Sequence, residues 1–492
     1  MSFSSLVFLL IFFPAVTGLY YAVPRRCKNI FLLLASLFFY AWGGFRTLPL
    51  FLASMAANYA FALLIEGTRQ RQGLCRGIAV CAIIANVGLL VAFKYLQFIL
   101  KCFDAVSGLS IAAPSWALPL GISFFTFSAL SYVLDVYFGA VKAETNFLHV
   151  ALYLSFFPKV VSGPIMQWST FQSQLEERHC SIGQFSDGLK RFIVGLAKKL
   201  IIADSVASFA DFIFNRTEFT SLSVLLTWFG VISYVIQLYY DFSGYSDMAV
   251  GLGSMFGFTV DENFCYPFIS KRVAEYWGRW HITLGTWVKH YIYTPVFRAL
   301  NVKNRRTGKK RDAKICDYLA LLVSWCIIGP WHGAGFHYLA YGLFYCTFII
   351  LERIWDNYKK KRAKTGRPLA WNPAATAFFS HCYFIIVMLI GQMVFRANSL
   401  TLAAKQLLAM LGLSGNCIVN DSDAFYFGTY LPIILLGIFG ALPVVPLVKK
   451  KLAGWNGTSR VLLGALVHLA LLAVSLAFAV GNTYKAFIYF NF

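Results

Sequence analysis

Two histidines lie among glycines, a proline and aromatic residues in the run IIGPWHGAGFHYLAYG, residues 327–342. Between Asp317 and Glu352 the chain has no Asp, Glu, Lys or Arg, and His332 and His337 are the two imidazoles of this apolar stretch. An imidazole changes its charge near neutral pH and is the side chain that most often acts as a general base. An ionisable residue in an apolar span is a functional candidate by default. His332 is therefore the leading catalytic candidate, whereas His337 is expected to make only a structural hydrogen bond.

A third histidine lies in the stretch FISKRVAEYWGRWHITLGTWVKHYIY, residues 268–293. Apolar residues recur there three or four positions apart, namely Ile269, Val273, Tyr276, Trp280, Leu284, Trp287 and Tyr291. This period predicts one amphipathic helix, and its flanking tryptophans and basic residues are typical of a membrane interface. His281 falls at the rim of the apolar face beside Trp280. It is either an interfacial hydrogen-bonding residue or a second active-site group, and its spacing does not separate the two.

Two carboxylates, Asp241 and Asp247, lie in the glycine-rich run YYDFSGYSDMAVGLGSMFGF, residues 239–258. Paired carboxylates can carry protons, but residues six apart need not share one helix face. The glycines of this run allow helices to approach closely. A structural or substrate-gating role is favoured over catalysis for both residues.

The composition indicates whether these histidines and aspartates lie in a water-soluble protein or in a membrane protein. Of 492 residues, 59% are hydrophobic and 13% are charged, and the mean hydropathy is +0.64, so polar surface is too scarce to cover a water-soluble globule. Apolar stretches long enough to span a bilayer recur along the chain, and we expect about ten to twelve passes in one polytopic domain, residues 1–492. Examples are Val7–Tyr21, Ala117–Phe138, Leu222–Tyr240, Ala374–Phe395, Tyr426–Val448 and Val461–Val480.

The net charge of +22 is explained by membrane topology rather than by nucleic-acid binding. Most basic residues form short clusters beside apolar spans, as in cytoplasmic loops. These clusters are Arg25–Lys28, Arg69–Arg76, Lys303–Lys314, Arg353–Arg367 and Lys449–Lys451. The acidic and polar stretch Ser414–Asp423 is expected outside. Counting passes between these marks predicts both termini outside a cell membrane.

The stretch between Asp317 and Glu352 is too long for one straight pass and too short for two full ones. As one helix it would measure about 51 Å, against a hydrocarbon core of about 30 Å. Gly329, Pro330, Gly333 and Gly335 are therefore expected to break it into two short or tilted helices that meet inside the membrane. Leu319–Ile328 would then bring His332 near the bilayer midplane.

Other common sites are not indicated. The eleven cysteines form no C-x-x-C pair, so neither a disulfide framework nor a metal site is predicted. The Gly-x-Ser-x-Gly, His-Glu-x-x-His and P-loop motifs are also missing from the sequence. Any chemistry must come from the histidine strings.

Several strings together resemble the membrane-bound O-acyltransferases (MBOAT), in the bacterial branch related to alginate and peptidoglycan O-acetylation, with teichoic-acid D-alanylation proteins as relatives. The strings are FFPKVVSGPIMQWSTF, YYDFSGYSDMAVGLG, NFCYPFISKRVAEYWGRWHITLGTWVKHYIYTP, GPWHGAGFHYLAYG, VFRA and FIYFNF. The resemblance implies an all-α ring of tilted helices, with re-entrant and interfacial helices, an outer funnel and a cytoplasmic opening. The one departure is the stretch YTPVFRALNVKNRRTGKKRDAK, where close relatives often carry a Gly-Gly-Asn-Arg type loop.

The resemblance also implies the chemistry. His332 and His281 occupy the two histidine positions of the family, with Trp280, Trp331, Asp241 and Asp247 along the substrate channel. The acyl group, expected to be acetyl, would pass from a cytoplasmic thioester, either acetyl-CoA or an acyl-carrier protein, to a surface or exported glycan, with no bound cofactor. Transfer is either direct or through an exported partner transferase. The alternatives are D-alanyl transfer to teichoic acid and, from another class, a polysaccharide or lipid transporter, which should contain a second broken helix.

Overall fold

The computed structural model describes residues 1–112, 114–178, 180–307, 312–366, 372–481 and 487. Regular structure in this part of the chain is helical throughout, apart from one isolated antiparallel bridge between Phe264 and Trp280. The contacts divide the chain into two compact units. Unit 1 comprises Met1–Leu200, Phe242–Glu262 and Ala465–Phe492, and unit 2 comprises Ile201–Asp241 and Asn263–Gly464.

Unit 1 begins with a π-helical turn, Phe8–Phe12, that runs directly into the first α-helix. Its helices are α1 (Phe13–Ala22), α2 (Lys28–Gly44), α3 (Leu48–Gly67), α4 (Gln72–Leu90), α5 (Leu96–Ser107), α6 (Ile122–Phe138), α7 (Phe147–Ser155), α8 (Trp168–Glu177) and α9 (Ile182–Ala197). The second part of α11 (Val224–Met255) and most of α21 (Gly457–Gly481) also belong to it. Its core is rich in phenylalanine, including Phe8, Phe39 and Phe157.

Glycines let α9 and the second part of α11 pack backbone to backbone. A Cβ atom on Gly188 would lie 2.7 Å from the carbonyl oxygen of Gly251, and one on Gly195 would lie 2.5 Å from that of Gly244. Neither position leaves room for a side chain. The close packing expected from the glycines after Asp241 is therefore confirmed for two of them. Gly244 faces Gly195 of α9, and Gly251 faces Gly188 of α9.

Unit 2 contains α10 (Asp204–Phe214), the first part of α11, and ten further helices. These are α12 (Val273–Trp277), α13 (Ile282–Val288), α14 (Thr294–Thr307), α15 (Ala313–Trp331), α16 (Phe336–Lys364), α17 (Pro373–Arg396), α18 (Leu400–Met410), α19 (Asp423–Gly440), α20 (Val444–Lys451) and the start of α21. Helices α15 and α16 form a tight hairpin. Lys309 and most of the loop around it, Arg367, and the final FIYFNF string apart from Phe487 lie outside the described residues.

The predicted all-α membrane class is confirmed. Seven helical stretches of the described chain are long and apolar enough to cross a bilayer: Arg25–Gly67, Gln72–Ser107, Val224–Met255, Ala313–Trp331, Pro373–Arg396, Asp423–Gly440 and Gly457–Gly481. The first of these contains both α2 and α3, and the second both α4 and α5. Three shorter apolar helices, Phe8–Ala22, Ile122–Phe138 and Leu400–Met410, accompany them. The total of ten to twelve passes and the single-domain organisation stay predictions.

The break before His337 is shorter than expected. Helix α15 continues through Gly329 and Pro330 and ends at Trp331, so only residues 332–335 separate it from α16. The expectation that Gly329 and Pro330 supply the break is wrong, because a proline in the last helical turn removes only one intrahelical hydrogen bond. Gly329 instead contacts Gly342 of α16, where an added Cβ would lie 3.1 Å from the facing Cα atom.

The amphipathic stretch is not one helix, as the sequence period predicted. It forms α12 and α13, separated by Gly278–His281, in which Trp280 pairs with Phe264 and His281 adopts a left-handed backbone conformation with φ +47°. The apolar period still describes burial at six of its seven positions, and Ile269 is half-buried. Val273, Tyr276, Trp280, Leu284, Trp287 and Tyr291 are all buried.

Candidate active site around His281 and His332

Trp331 brings the two predicted histidines together. The centre of its ring lies 4.7 Å from that of His332 and 6.2 Å from that of His281. All three side chains are buried. Residues that are 51 positions apart in sequence thus belong to one site within unit 2, and the indole ring of Trp331 contacts both imidazoles.

His332 is enclosed by aromatic rings. It caps the C-terminus of α15, and its ring meets those of Phe395 and Tyr341 edge-on, at centroid distances of 4.9 and 5.7 Å. Tyr341 lies on α16 and Phe395 on α17, so three helices define the ring's orientation. Gly329 and Gly342 let α15 and α16 approach each other closely.

His281 is held by a polar contact from a distant part of the sequence. Its Nδ1 lies 3.1 Å from Oδ1 of Asn263. The same oxygen accepts hydrogen bonds from the backbone N–H of Thr283 at 3.2 Å and from its hydroxyl at 2.9 Å. The carbonyl of Asn263 also accepts the N–H of Ile282 at 3.0 Å. These bonds stabilise a left-handed conformation that costs a non-glycine residue about 1–2 kcal/mol.

The same segment contains both non-glycine residues of the described chain that have positive φ, Tyr266 and His281. Backbone strain of this kind persists only where surrounding contacts over-determine it, and it is found preferentially at functional sites. Burial lowers the pKa of His281, which lies between α12 and α13 and outside the candidate membrane spans, to about 3. Its imidazole is therefore neutral at physiological pH.

A cavity of about 600 Å³ opens beside His281. We call it the His281 cavity. Its lining comes from α12, α13, the loop between them, the π-helical turn after α13, α15 and α16, and includes Trp277, Trp280, His281, Lys289 and Arg353. In the described part of its wall, the charged residues are Lys289 and Arg353, and both are cations. Arg353 forms an ion pair with Asp317 of α15, in which its Nη1 donates to both carboxylate oxygens. The cavity thus combines an imidazole, a largely apolar wall and positive charge.

Glu352 fixes the short helix that leads to His281. Its carboxylate accepts the backbone N–H groups of Val273 and Ala274 at 2.6 and 3.1 Å and so caps the N-terminus of α12. Tyr383 donates a further hydrogen bond to the same carboxylate at 3.3 Å. A carboxylate at a helix N-terminus is stabilised by the free N–H groups there. Glu352 of α16 therefore anchors the segment that carries Trp280 and His281.

Trp280 packs against other aromatic rings and also lines the His281 cavity. Its ring stacks on Tyr276 at 5.5 Å and meets Phe264 at 5.0 Å in a perpendicular arrangement. Because it also lines the His281 cavity, it forms part of the wall of that space.

The two aspartates of α11 have different environments. Asp247, in unit 1, accepts hydrogen bonds from Arg191 Nε at 2.7 Å and Lys198 Nζ at 2.6 Å, and 8% of its side chain is exposed. These partners tie α11 to the end of α9. Asp241 is buried at the end of the α11 part that belongs to unit 2. Neither residue lines the His281 cavity in the described structure.

The sequence reasoning did not identify Asn263, Thr283, Phe395 and Tyr341 as site residues. Asn263 is the first residue of the string NFCYPF, which the sequence singled out only by its resemblance to the family. The signal that could have identified it is an amide side chain directly before a run of aromatic residues. His337 is buried against Gly335, where an added Cβ would lie 2.5 Å from its Cε1 atom. No group of three or more His, Cys, Asp and Glu residues in the described chain is arranged to hold a metal ion.

Comparison with known proteins identifies the family. The family model for membrane-bound O-acyltransferases matches residues 38–394, a range that contains both histidines. A probable alginate O-acetylase of Azotobacter vinelandii is 34% identical over 92% of this chain and 88% of its own length. A peptidoglycan O-acetyltransferase of Helicobacter pylori is 30% identical over 100% of this chain and 97% of its own length. A teichoic acid D-alanyltransferase of Bacillus subtilis is 27% identical over 49% of this chain and 60% of its own length. The chain belongs to the membrane-bound O-acyltransferase family, and it is an O-acyltransferase with several membrane-spanning helices.

Proposed function

We propose that this protein transfers an acetyl group from a phosphate-bearing thioester in the His281 cavity to a hydroxyl of a surface or exported glycan. The observation that carries the proposal is the meeting of His281 and His332 at Trp331, with a cation-lined cavity beside one of them. The acetyl group and the glycan acceptor follow from the relatives, which are named for O-acetylation of alginate and of peptidoglycan.

The lining of the cavity suits such a donor. Acetyl-CoA and an acylated carrier protein both present a thioester on a phosphate-bearing arm, and Lys289 and Arg353 supply positive charge. A second cavity of about 380 Å³ shares Tyr293 and Arg353 with the first and adds Lys314 and Lys360. Asp317 and Asp356 also line this second cavity, and Arg272 holds the pKa of the Asp356 carboxyl below its usual range together with Lys359. The cations exceed the carboxylates at this end.

The transfer needs one base and no bound cofactor. His332 takes the proton of the acceptor hydroxyl as its oxygen attacks the thioester carbonyl carbon. The new C–O bond forms, the C–S bond breaks, and the thiolate that leaves recovers a proton, so one ester and one thiol are produced. His281, which lines the cavity, contacts the donor. Such an arrangement lets acyl groups pass between the two sides of a membrane while the donor stays on one side.

The immediate acceptor is a glycan hydroxyl or an exported partner transferase that receives the acetyl group first. D-alanyl transfer to teichoic acid is the alternative within the family, and its support is the more distant relative from Bacillus subtilis. A transporter is the alternative from another class. Thioester cleavage separates the transporter from both enzymatic readings, because transport leaves the thioester intact.

The proposed location is the cell membrane, with the basic ends of α16 and α20 in the cytoplasm and both termini outside. Single cysteines at Lys360 and Asn420, probed with an impermeant thiol reagent in intact cells, test this orientation after accessible native cysteines are replaced. We expect labelling at Asn420 and protection at Lys360 until the cells are opened. Equal labelling of both sites in intact cells would contradict the proposed path.

The proposed activity is tested with purified protein in detergent, supplied with acetyl-CoA and a short glycan acceptor. Release of free thiol and formation of glycan ester should rise together and should both be lost in His332→Ala. A matched sample supplied with D-alanyl carrier protein tests the alternative acyl group. If neither thioester is cleaved, with or without acceptor and membrane lipid, the proposed function is wrong.

A further inference from the structure

The contact between Asn263 and His281 defines which imidazole nitrogen carries the proton. Oδ1 of Asn263 lies within hydrogen-bond distance of three groups: the N–H of Thr283, its hydroxyl, and Nδ1 of His281. A backbone N–H can only donate, so the Asn263 atom that faces it must be the amide oxygen. That oxygen has no hydrogen to give. Nδ1 of His281 can therefore interact favourably with it only as N–H.

A neutral imidazole carries a single proton. If Nδ1 holds it, Nε2 carries the lone pair, and Nε2 is the atom that gains a proton when the ring becomes charged. Asn263 can accept the Nδ1–H hydrogen bond in both states. The ring orientation thus stays fixed while the proton at Nε2 comes and goes.

We infer that Asn263 is a positioning residue that holds His281 as the Nδ1–H tautomer, so that Nε2 exchanges a proton with the ligand in the His281 cavity. This inference rests on the proposed function for its catalytic meaning, since the ligand would be the thioester donor or the thiol it releases. Nε2 of the neutral ring accepts the proton that His332 took from the acceptor hydroxyl, delivered through solvent, and returns it to the departing thiolate, so that both imidazoles are neutral at the end. The inference assigns proton exchange to His281 in place of simple donor orientation.

Further contacts support a positioning role over simple packing. Asn263 is 1% exposed and spans the base of the loop, with its carbonyl accepting the N–H of Ile282. Its neighbour Phe264 pairs with Trp280. The residue before His281 is therefore bound to Phe264, and the residue after it, Ile282, to Asn263. The left-handed backbone of His281 brings the ring to Asn263 and at the same time to the cavity wall. A histidine needed only for packing would have no need of a strained backbone conformation.

The charged groups around His281 must be considered before its titration is used as a test. Lys289 of the region after α13 and Arg353 of α16 line the same cavity, and Arg279 lies two residues away in an ion pair with Glu275 of α12. His332 at the end of α15 also contacts Trp331. Arg353 is paired with Asp317 and Arg279 with Glu275, so the added charge in Asn263→Asp acts beside three cations, two of which already have a carboxylate partner.

The test compares Asn263→Asp with Asn263→Leu in the full-length protein. Aspartate keeps an oxygen that accepts the same three contacts, but its charge favours the protonated ring and raises the pKa of His281. Leucine fills the space and accepts nothing. We measure carbethoxylation of His281 by diethyl pyrocarbonate against pH, followed by mass spectrometry of the peptide, because this reagent attacks the neutral nitrogen. This readout is independent of acyl transfer.

We expect Asn263→Asp to shift the pH midpoint of His281 modification upward by about one unit or more, as an opposite charge in direct contact does. In the transferase assay it should retain activity at high pH, and the acidic limb of the kcat profile should move in the same direction. Asn263→Leu should lower kcat by a factor of order 10–100, the usual cost of removing a partner that orients a reactive histidine, with little change in KM.

Asn86→Leu is the matched control for loss of a buried amide. Asn86 pairs reciprocally with Asn58 in unit 1, at 2.7 and 3.2 Å. This variant should lose thermal stability without moving either pH profile. If Asn263→Asp leaves the modification midpoint unchanged, or if folded Asn263→Leu keeps wild-type kcat, the positioning role is wrong. A shifted modification midpoint with no thioester cleavage by any form would keep the tautomer assignment and overturn only the proposed function.

Discussion

The two histidines meet at one tryptophan but are held in opposite ways. His281 is fixed through a hydrogen bond to an amide, on a strained loop that lines a cavity. His332 is fixed by aromatic rings at the end of a regular helix, in a hairpin closed by glycines. An imidazole with one nitrogen in a defined hydrogen bond has a defined tautomer. Rings packed edge-on against an imidazole fix the plane of its ring. The difference indicates two separate tasks.

The surroundings of His332 and His281 indicate that the protein should still fold when either histidine is replaced by alanine. Removing the imidazole of His332 leaves a small space among the rings of Trp331, Tyr341 and Phe395. Removing the imidazole of His281 leaves Asn263, whose oxygen still accepts from Thr283. Both truncations should therefore fold, and their effects on the reaction can be compared directly.

The largest effect is expected for His332→Ala. Loss of the base should lower kcat for glycan acetylation by a factor of order 100 or more, the range for general-base catalysis, with KM for the thioester little changed. Ester content of the surface glycan at matched expression, together with kcat from the purified enzyme, measures it. His337→Ala, in the first turn of α16, is the control and should have the smallest effect of the three histidines. Near-normal acetylation by His332→Ala would show that this residue only packs and that the base lies elsewhere.

A smaller loss is expected for His281→Ala. This side chain lines the cavity in which the donor is proposed to bind, so KM for the thioester should rise as kcat falls, by about tenfold in kcat/KM, the low end for loss of an orienting group. Steady-state kinetics with the thioester as varied substrate separate the two parameters. If both variants lowered kcat by the same factor and left KM unchanged, the two histidines would not have separate tasks.

How far the sequence predicts this site follows from the range of the interactions involved. The 3.6-residue period identified the buried side chains between Val273 and Tyr291, because that pattern is local. It did not predict the interruption at Gly278–His281, since the bonds that stabilise it come from Asn263 and Phe264, which lie outside the periodic stretch. Helical spacing alone treats a residue such as His281 as one more position on a helix face.

The helix break was misjudged for a related reason. Proline and glycine are helix breakers on average, yet Pro330 lies inside α15 and Gly329 serves a contact with α16. That contact exists only in the folded hairpin, so the sequence could suggest a break near His332 but not its limits. His332 itself was identified correctly as a buried group because its chemistry stands out in an apolar stretch, while its catalytic role stays a prediction.

Trp331→Phe should have a still smaller effect, a several-fold loss of kcat. Phenylalanine keeps an aromatic ring against His332 but is too small to hold both ring contacts, which are 4.7 and 6.2 Å in the native protein. A slightly misplaced group lowers the rate of a reaction that depends on orientation. The measurement is kcat for Trp331→Phe beside Trp168→Phe, a substitution of a buried tryptophan in unit 1 that contacts Tyr132 and Tyr153 instead. Equal losses would mean that Trp331 acts through general packing and not through the two histidines.

No loss of turnover is expected for Asp247→Asn, whose partners lie in unit 1 and outside the histidine site. The substitution removes the charge that pairs with Arg191 and Lys198 but keeps an oxygen that can accept one hydrogen bond. Since Arg191 retains Glu262 and both cations are partly exposed, the free energy of unfolding should fall by about 1–3 kcal/mol, less than for a fully buried pair. A lower thermal midpoint in detergent and reduced expression would report this loss. Lys405→Met, which breaks the exposed pair with Glu218, is the control and should change stability little.

Per folded molecule of Asp247→Asn, kcat should stay at the wild-type value, because the carboxylate stabilises helix packing. A normally stable Asp247→Asn protein that is as inactive as His332→Ala would instead assign this carboxylate to the reaction and remove the distinction between the two regions.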